Sequence, residues 1–464
     1  MAAGDSSSMR RDIVSAYVAS GAKIASWAVM SAMVYRYLSP QAFAALALIR
    51  GTIGLLNYAA VGLGPALIRL IAEEASKPQM AIPVDEGLGA DGVLAYRTPE
   101  IKRDPASEPY VNGLIIAISA GAIGLVLTWV YAKWFGVVHH ITTLKGDVPA
   151  LVVTIGIGTV LRIISDAPGA VLQARGRIVT DNCLLAFGDV LWVVLTSLWG
   201  VKEGLEVVGG TFVVANLILL GARFTVAHGE TGVGARGQIN CTTLRRLLTF
   251  GSLVVLAQLA DYLYAPTDYI LIDRLLDPMA LAAYAPAVQI DGALLVLVAG
   301  LGAVLLPKSA VAHAAGDLAA VRKYYVRGTL ASVGLLVAAG ACVWALSPWV
   351  FRMWLGNEMP ATQAILPLVL VHTVIGGSSA VGRSILLGMG KVQAFTIAVL
   401  IAGASNVAFS VVFVKYLGLG LKGIVLGTIM AVVLRCGVWM PWYVMRAVRG
   451  EGKIAAEPQM TIEN

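Results

Sequence analysis

The amino-acid sequence predicts an all-α polytopic membrane protein with about twelve transmembrane helices in two pseudo-symmetric six-helix bundles. The first observation behind this prediction is composition, since 58% of the residues are hydrophobic, 13% are charged and the mean hydropathy is +0.80. Soluble domains average about 45–50% apolar and about 25% charged residues, so the lipid bilayer must be the solvent for most of this chain. The other two observations are a series of long apolar segments and a repeat that relates the two halves of the sequence.

The apolar segments have the length that a membrane-spanning helix needs, about 20 residues. The first follows Arg10 and Arg11 and has no small-residue cleavage pattern behind it, which indicates a retained helix and not a removed signal peptide. The predicted spans are approximately 12–36, 42–70, 111–135, 149–172, 182–201, 207–227, 246–272, 280–306, 326–346, 363–388, 393–415 and 422–446.

The distribution of Lys and Arg predicts the orientation of these spans. With the N-terminus inside, about 20 of these residues fall in inner segments and about 8 in outer segments. The positive-inside rule then places both termini in the cytoplasm. This topology explains the formal net charge of +7, so no nucleic-acid partner is expected.

The repeat shows that the two halves are related. The segment RYLSPQAFAA, which begins at Arg36, recurs as RLLDPMALAA, which begins at Arg274. The same offset carries Gly62 onto Gly300 and Lys23 onto Asp261. Each half holds an even number of spans, so both halves cross the bilayer in the same direction, as in transporters built from parallel repeats.

The repeat predicts two domains. Residues 1–230 form an N-terminal six-helix bundle, and residues 231–464 form a C-terminal six-helix bundle with a cytoplasmic tail. The longest inner connection, at about residues 71–110, is rich in proline and mixed charges, so we expect a solvated loop with little regular structure. We interpret this loop as a tolerated insertion, and a regulatory or partner role is the alternative.

Ionisable residues inside the predicted spans are the candidates for function. A charged side chain at a helix centre costs about 2.5–3.5 kcal/mol on insertion scales, so such residues face the bundle interior or water. The candidates for substrate binding are Lys23, Arg50, Asp261, Asp268, Asp291 and Arg383.

Four further charged residues have structural interpretations. Arg162 and Asp166 are four residues apart on one helix, so they either neutralise each other or take part in function. Arg435 lies near a predicted helix end, from which it can snorkel to the interface. Asp189 is expected to pair locally or to lie near the interface.

The seventh span combines carboxylates with a helix break. Gln258, Asp261, Ala265 and Asp268 follow helical spacing on one face, and Pro266 interrupts the helix there. Backbone carbonyls freed beside two carboxylates favour a cation or proton site, and the kink at Pro266 is a candidate gate. The alternative is a static polar network around a structural kink.

The two halves carry opposite charges at their buried positions. Lys23 and Arg50 belong to the first half, and Asp261, Asp268 and Asp291 to the second. An anionic headgroup such as a diphosphate would prefer the first set, for which arginine is well suited because its planar fork binds two oxygens at once. A proton or Na⁺ would prefer the second set, which predicts coupling to H⁺ or Na⁺.

No cofactor or metal site is predicted. The four cysteines and five histidines show neither a disulfide framework nor a metal-ligand spacing. The segment GLGLKG, at residues 418–423, matches the dinucleotide-binding fingerprint but lies between two predicted membrane helices. Without a strand–turn–helix unit around it, this segment is predicted to be a tight turn.

Several motifs together indicate a family. In the first half they are YRYLSP from Tyr35 and GLGPALIR from Gly62, and in the second half DYILIDR from Asp268, followed by Tyr284 and by WLG from Trp354. The chain, over about residues 10–446, resembles the bacterial polysaccharide (O-antigen type) flippases of the multidrug/oligosaccharidyl-lipid/polysaccharide (MOP) exporter superfamily.

The resemblance implies a MATE-like, V-shaped pair of six-helix bundles around a central cavity. It implies that undecaprenyl-diphosphate-linked oligosaccharide is flipped across the bacterial inner membrane by ion-coupled alternating access, for export of exopolysaccharide or the O-antigen of lipopolysaccharide. Lys23 and Arg50 would hold the diphosphate, and Asp261 and Asp268 would bind sugar hydroxyls or the coupling cation. The implied partners are the lipid-linked oligosaccharide, the bilayer, and polysaccharide polymerase and chain-length machinery.

Two other functions are compatible with the sequence. A MATE-type cation or drug antiporter of the same superfamily would need only the acidic set of residues. An integral-membrane glycosyltransferase or polymerase would need a sizeable outer loop to carry catalytic carboxylates, and the predicted outer loops are short. We therefore expect a transporter and not an enzyme.

Overall fold

A computed structural model of the protein describes residues 3–61, 63–76, 106–138, 147–231, 237–262 and 265–449. Helices account for nearly all of these residues. They are α1 (Ala3–Tyr37), α2 (Pro40–Val61), α3 (Leu63–Ser76), α4 (Ser107–Val138), α5 (Asp147–Ala174), α6 (Ile178–Trp199), α7 (Leu205–Thr231), α8 (Cys241–Tyr262), α9 (Ala265–Leu275), α10 (Pro278–Ala314), α11 (Leu318–Leu355), α12 (Pro360–Gly388), α13 (Val392–Lys415), α14 (Gly420–Val432) and α15 (Met440–Val448). A 3₁₀ turn over Val201–Glu203 precedes α7, and a π-helical segment over Val433–Trp439 joins α14 to α15.

Each of the twelve predicted spans corresponds to helix, which confirms the predicted fold class. Within the described ranges, nine segments are long and apolar enough to cross a membrane, the last of them running from α14 through α15. The other three predicted spans correspond to α1 and to the pairs α2–α3 and α8–α9. At the predicted loop 71–110, α3 continues to Ser76 and α4 begins at Ser107, and residues 77–105 lie outside the described part of the structure.

The packing of the two halves follows the sequence repeat. In the first half α5 packs against α4, α2 and α7, and α6 packs against α1 and α7. In the second half α12 packs against α11, α10 and α14, and α13 packs against α8 and α14 in the same way. The repeat in the sequence is therefore a repeat of helix packing.

The largest apolar core that the two halves share lies on one side of the bundle. We call the side where α1 begins the inner side, following the charge-based prediction, and the opposite side the outer side. The largest apolar cluster joins the outer parts of both halves, from Met30 and Phe43 to Leu281 and Phe351. Toward the inner side the core divides into one cluster around Leu67 and Val171 and another around Val381 and Val399. The largest apolar core thus joins the halves outside, whereas on the inner side each half has a smaller cluster, and Leu247 of α8 packs into that of the first half.

Hydrogen bonds close the outer side in addition to apolar packing. We call this set of contacts between α1 and the second half the outer seam. Ser31 exchanges hydrogen bonds with Gln289 of α10, at 3.0 and 3.2 Å. Trp354 Nε1 of α11 donates to the carbonyl oxygen of Ala28 at 2.7 Å, and Arg36 donates to the carbonyl oxygen of Met353. The Arg36 contact places a cation at the C-terminal end of α11, where the helix dipole favours positive charge.

We expect Trp354→Phe to weaken the outer seam. This change removes the hydrogen bond to Ala28, and a net loss of about 1 kcal/mol would increase the population with an open outer side about fivefold. The measurement is the distance distribution between spin labels introduced by Leu198→Cys and Tyr416→Cys, at exposed outer ends of α6 and α13. The control is Trp344→Phe on the same helix, because Trp344 is exposed. An unchanged distribution in Trp354→Phe would contradict the role of the seam.

Helix α8 connects the second half to the inner side of the first. Arg246 Nη2 lies 2.6 Å from Glu73 Oε2 of α3, and Thr243 donates to Glu108 of α4 at 2.8 Å. Leu247 of α8 belongs to the inner apolar cluster of the first half. The predicted domain boundary at residue 230 remains a prediction, and α8 is in contact with both halves.

The segment at 418–423 runs from the end of the connection between α13 and α14 into the first turn of α14, which begins at Gly420. Gly418 and Gly420 have φ angles of 64° and 54°, a region of backbone conformation that glycine adopts without steric cost. The segment therefore forms a tight turn, as the sequence predicts.

Candidate functional site

Four charged residues of the first half meet between α1, α2, α5 and α6, and we call this group the central site. It contains Lys23, Arg50, Arg162 and Asp189. Lys23 interacts electrostatically with the other three, and its side chain is exposed. The predicted substrate residues Lys23 and Arg50 are thus brought together, because the helices that carry them pack side by side.

An aromatic stack holds the guanidinium group of Arg50. Its Cζ atom lies 3.7 Å from the ring centroid of Trp27, and the Trp27 ring stacks on Trp192 at 6.2 Å with an angle of 14° between the planes. Trp192 is held in turn, because its Nε1 donates to the carbonyl oxygen of Val208 at 3.0 Å. Stacking on an aromatic ring leaves the edge of a guanidinium group for hydrogen bonding. Nη1 of Arg50 is buried and has no hydrogen-bond partner among the residues that the structure describes.

The partner of Arg162 is Asp189 and not Asp166. Nη1 of Arg162 lies 2.6 Å from Oδ1 of Asp189, and Nη2 lies 3.2 Å from Oδ2. Such a two-point contact between planar groups is among the stronger ion pairs in proteins. It crosses from α5 to α6, so the expectation of a pair within one helix is wrong.

Asp166 instead belongs to an ion-pair network on the inner side of the central site. Arg223 of α7 lies 3.1 Å from Asp166 and 2.7 Å from Asp181, and it donates to Ser165 Oγ at 3.0 Å. Arg223 and Asp181 are almost completely buried, with 2% and 0% of their surfaces exposed. The network links α5, α6 and α7, and we interpret its role as structural.

A separate cavity of about 500 Å³ lies within the second half. Helices α9, α10, α12, α13 and α14 and the π-helical segment line it. The charged and titratable residues at its wall are Asp268, Tyr284, Asp291, His372, Arg383 and Arg435. Arg435 therefore faces the cavity from the π-helical segment, and the expectation that it snorkels to the interface is wrong.

Asp268 is the centre of a group that we call the carboxylate cluster. Its side chain is completely buried and accepts three hydrogen bonds. Tyr284 Oη and Thr428 Oγ1 donate to Oδ2 at 2.8 and 2.7 Å, and Asn406 Nδ2 donates to Oδ1 at 3.0 Å. Ser410 lies next to this group, because its Oγ is 3.4 Å from Asn406 Oδ1 and 3.3 Å from the carbonyl oxygen of Ile424.

Asp291 and His372 form a second titratable pair in the cavity. Oδ1 of Asp291 accepts a hydrogen bond from Thr373 at 2.6 Å and lies 3.6 Å from Nδ1 of His372. Arg383 lines the same cavity with its Cζ atom 5.6 Å from the ring centroid of Phe395. The predicted substrate residues Asp291 and Arg383 are therefore close to Asp268 and belong to a different group from Lys23 and Arg50.

Two predicted residues lie close to residues 263 and 264, which are outside the described part of the structure. Asp261 is the residue before the last of α8, and Pro266 is the second residue of α9. The side chains of both lie outside the described part of the structure. Residues 263 and 264 lie outside the described part of the structure, so the common face from Gln258 to Asp268 and the helix break at Pro266 remain predictions. The roles of Asp261 in binding and of Pro266 in gating remain predictions.

Sequence reasoning missed the neutral residues of both groups. Asn406 and Thr428 lie in apolar spans, and Asn406 is completely buried in α13. The signal that could have identified Asn406 is a single amide side chain within an apolar span. Trp27 lies four residues after Lys23, one helical turn away, which would have placed an aromatic ring beside the cations. His372 had no sequence signal, since its partner Asp291 is on another helix.

The two groups suit different ligands. The central site holds three cations and one acid, with one guanidinium edge lacking a partner, which suits an anion. The carboxylate cluster surrounds a buried anion with oxygen-bearing side chains, which suits a small cation or a proton. Helix α9 connects them, because it packs against α2 of the first half and against α10, α13 and α14 of the second.

Comparisons with known proteins agree with this architecture. A sequence model of the MatE family matches residues 254–412. No curated protein matches the chain significantly. A multidrug resistance MATE family transporter of the MOP superfamily is similar in its inward-facing conformation, with a TM-score of 0.72 at 17% identity over 94% of this chain and 96% of that one.

Two further solved structures show the same fold. The outward-facing conformation of a multidrug resistance MATE family transporter has a TM-score of 0.61 at 18% identity, over 94% of this chain and 96% of that one. The lipid II flippase MurJ, in an inward closed conformation, has a TM-score of 0.67 at 12% identity, over 94% of this chain and 87% of that one. The chain therefore has the two-lobed, multi-pass membrane fold of the MATE family transporters of the MOP superfamily.

Proposed function

We propose that this protein flips an undecaprenyl-diphosphate-linked oligosaccharide from the inner to the outer leaflet of the bacterial inner membrane, by alternating access coupled to a cation. The observation that carries the proposal is the central site, where Arg50 is stacked on Trp27 beside the exposed Lys23. The MurJ flippase, named for a lipid-linked substrate, shares the fold. Polysaccharide polymerase and chain-length machinery would be partners of the same export process.

The central site has two cations that its own acid does not neutralise, and a diphosphate could bind them. Arg162 is neutralised by Asp189, whereas no ion pair is seen between Arg50 or Lys23 and an acid within the described ranges. A guanidinium fork binds two phosphate oxygens at once, and an ammonium group adds a point charge. Two cations of this kind match the two negative phosphates of a polyprenyl diphosphate.

The distribution of the apolar core supports the direction of transport. The largest cluster joins both halves outside, whereas inside one smaller cluster belongs to the second half and the other to the first half together with Leu247 of α8. A substrate assembled at the inner leaflet would enter such an arrangement from the inner side. Opening of the outer seam would then release it to the outer leaflet.

The carboxylate cluster is the proposed site of the coupling cation. Hard cations prefer oxygen ligands, and Asp268, Thr428 and Tyr284 present carboxylate and hydroxyl oxygens within hydrogen-bond distance of one another. The hydroxyl groups donate to Asp268 in this structure, so a bound Na⁺ would require them to turn. The Thr428 hydroxyl has another acceptor available, the carbonyl oxygen of Ile424 at 3.2 Å. A proton on Asp268 would act in the same place.

The test is flipping of a defined substrate by the purified protein. Proteoliposomes receive undecaprenyl diphosphate that carries a fluorescent disaccharide, and quenching from outside reports the outer leaflet. We expect flipping that depends on an imposed Na⁺ or H⁺ gradient. No flipping under any gradient, with substrates from several glycans, would reject the proposal.

A second function is favoured by the MatE match to residues 254–412 and by the acidic wall of the second-half cavity. A MATE-type antiporter would exchange an organic cation for H⁺ or Na⁺ and would need Asp268 and Asp291. Export of ethidium by the same proteoliposomes, insensitive to Lys23→Ala, would favour this function over the flippase.

Asp268→Asn is predicted to abolish cation dependence. The amide keeps the shape of the side chain but removes the charge that a cation needs, so we expect flipping to fall at least tenfold, a loss of about 1.4 kcal/mol or more. Substrate binding in the absence of the coupling cation should change little, because Asp268 is outside the central site. The matched control is Asp277→Asn, since Asp277 caps α10 through Ala280 and asparagine is an equally good cap. Retention of full gradient-driven flipping would exclude Asp268 as the coupling site.

A further inference from the structure

We propose that Tyr269 is a positioning residue that couples the carboxylate cluster to the central site through its contact with Gly51. The inference rests on the proposed function, because it assumes that a cation binds at Asp268 and a diphosphate at Arg50. It assigns a role to a residue that belongs to neither group. The argument rests on contacts between α9, α10 and α2.

Two neighbouring residues of α9 face opposite halves of the protein. Asp268 is completely buried against the second half, where Asn406 and Thr428 donate to it. Tyr269 is only 9% exposed and lies against α2 of the first half. Consecutive residues of a helix are about 100° apart, so one helix presents both side chains. Any rotation or tilt of α9 moves both contacts together.

Tyr284 links the two side chains a second time. Its hydroxyl donates to Asp268 at 2.8 Å, and its ring makes an edge contact with the ring of Tyr269, with centroids 5.4 Å apart. A cation at Asp268 would compete with the hydroxyl proton of Tyr284 for the carboxylate. The resulting movement of Tyr284 would act directly on the ring of Tyr269, because both residues are tightly packed in the shared outer core.

On its other side the Tyr269 ring contacts Gly51 of α2, so a movement of the ring would act on that helix. A Cβ atom at position 51 would lie 3.3 Å from Cδ2 of Tyr269 and 3.5 Å from Cγ, so the ring lies flush against the backbone of α2. The preceding residue is Arg50, whose guanidinium group interacts electrostatically with Tyr269. The path from the cation to the diphosphate therefore runs from Asp268 through Tyr284 and Tyr269 to α2.

The experiment measures coupling between the two ligands. Radiolabelled undecaprenyl diphosphate is bound to protein in nanodiscs, in NaCl and in choline chloride at equal ionic strength and, for a proton, at two pH values. The ratio of the Kd values with and without the cation is the coupling. Linked sites typically show ratios of about 5- to 150-fold. We expect a ratio of at least about fivefold in the unmodified protein and within about twofold of unity in Tyr269→Leu. A thermal shift with Na⁺ alone reports whether the cation still binds.

Two variants separate packing from other effects. Tyr269→Phe keeps the ring and loses the hydroxyl, so its ratio should stay close to that of the unmodified protein. Gly51→Ala keeps every side chain and disturbs only the contact, so it should reduce the ratio by itself if Tyr269→Leu fails to fold. In the double variant with Tyr269→Leu, the second change should have no further effect, since the contact is already lost.

The outcomes distinguish failure of the inference from failure of the proposed function. If Na⁺ and pH leave the Kd of the unmodified protein unchanged, the proposed coupling is wrong and the role of Tyr269 falls with it. If the unmodified protein shows coupling and Tyr269→Leu keeps it, only the inference is overturned. If Tyr269→Leu also loses the thermal shift with Na⁺, Tyr269 belongs to the cation site, and the positioning role is again overturned.

Discussion

Replacement of Arg50 by alanine should weaken the binding of undecaprenyl diphosphate by about 10- to 100-fold. A hydrogen bond to a charged group contributes about 1.5–3 kcal/mol, and each 1.4 kcal/mol is a factor of ten in Kd. Arg50 is expected to supply such a bond because its Nη1 atom is buried without a partner in the described structure, while Trp27 fixes the plane of the guanidinium group. The measurement is binding of radiolabelled undecaprenyl diphosphate to protein in nanodiscs.

Three further variants divide the effect into charge and geometry. Arg50→Lys keeps the charge but loses the planar fork, so it should recover only part of the affinity. Trp27→Leu keeps Arg50 but removes the stack, and it should weaken binding less than Arg50→Ala does. Lys23→Ala should weaken binding by a similar factor to Arg50→Ala, and the double variant should fail to support export in a strain that depends on this gene.

A matched control is available on the lipid-facing surface. Lys133→Ala removes a cation that lies over the exposed ring of Trp129 at 3.6 Å, away from the central site. It should leave binding within about twofold of the unmodified protein, a change of about 0.4 kcal/mol or less. Full export by the protein that lacks both Lys23 and Arg50 would exclude the diphosphate site.

The sequence predicted the architecture well because its signals are those that a bilayer imposes. Apolar length and the Lys and Arg bias result from the bilayer, and each predicted span overlaps its helix or pair of helices, although some helices extend up to nine residues beyond it. The proximity of Lys23 to Arg50 could be predicted because both side chains are costly to expose to lipid and lie on consecutive spans. They are close in the structure because both avoid lipid and because α1 packs against α2.

The partners of the charges could not be predicted in the same way. Whether Arg162 pairs with Asp166 or Asp189 depends on how α5, α6 and α7 rotate about their axes, which hydropathy does not determine. Spacing within one helix made Asp166 a plausible partner, but Arg162 pairs with Asp189 of α6, and Asp166 pairs with Arg223 of α7. Tertiary packing decided between local and distant ion pairs.

The predicted break at Pro266 stays a prediction, because residues 263 and 264 lie outside the described part of the structure. Helix α9, which begins at Ala265, is in contact with both halves, with Asp268 facing one and Tyr269 the other. The pseudo-symmetric pair of Lys23 and Asp261 therefore does not describe the whole asymmetry between halves, since Asp268 of α9 is a further acid of the second half and is completely buried.

Arg223→Gln should destabilise the folded protein by about 3–5 kcal/mol, the typical result of removing one partner from a buried ion pair. The reason is Asp181, which is completely buried and lies 2.7 Å from Nη2 of Arg223. Gln173 donates to the other oxygen of Asp181 at 2.7 Å, but a neutral amide cannot balance the charge. Asp166 is affected less, because 37% of its side chain is exposed.

A double variant shows whether the cost comes from the unpaired charge. Asp181→Asn combined with Arg223→Gln leaves no buried charge at this pair and keeps polar groups in contact, so it should recover a substantial part of the lost stability. Gly169→Ala provides an independent test with both charges present, since its Cβ would lie 2.8 Å from Cζ of Arg223 and 2.9 Å from Oδ1 of Asp181. It should force the pair apart and destabilise the junction of α5, α6 and α7.

The measurement is thermal inactivation of purified protein at a fixed scan rate, since unfolding of a large membrane protein is a kinetic quantity. Arg322→Gln is the matched control, because Arg322 is exposed near the start of α11. It should leave the inactivation temperature unchanged, while Arg223→Gln should lower it by several degrees. Equal temperatures for Arg223→Gln and Arg322→Gln would mean that water or lipid headgroups reach Asp181. The contacts of Arg223 with Asp166 and Asp181 would then be solvent-accessible. They would not be a buried structural support for the neighbouring Arg162–Asp189 pair of the central site.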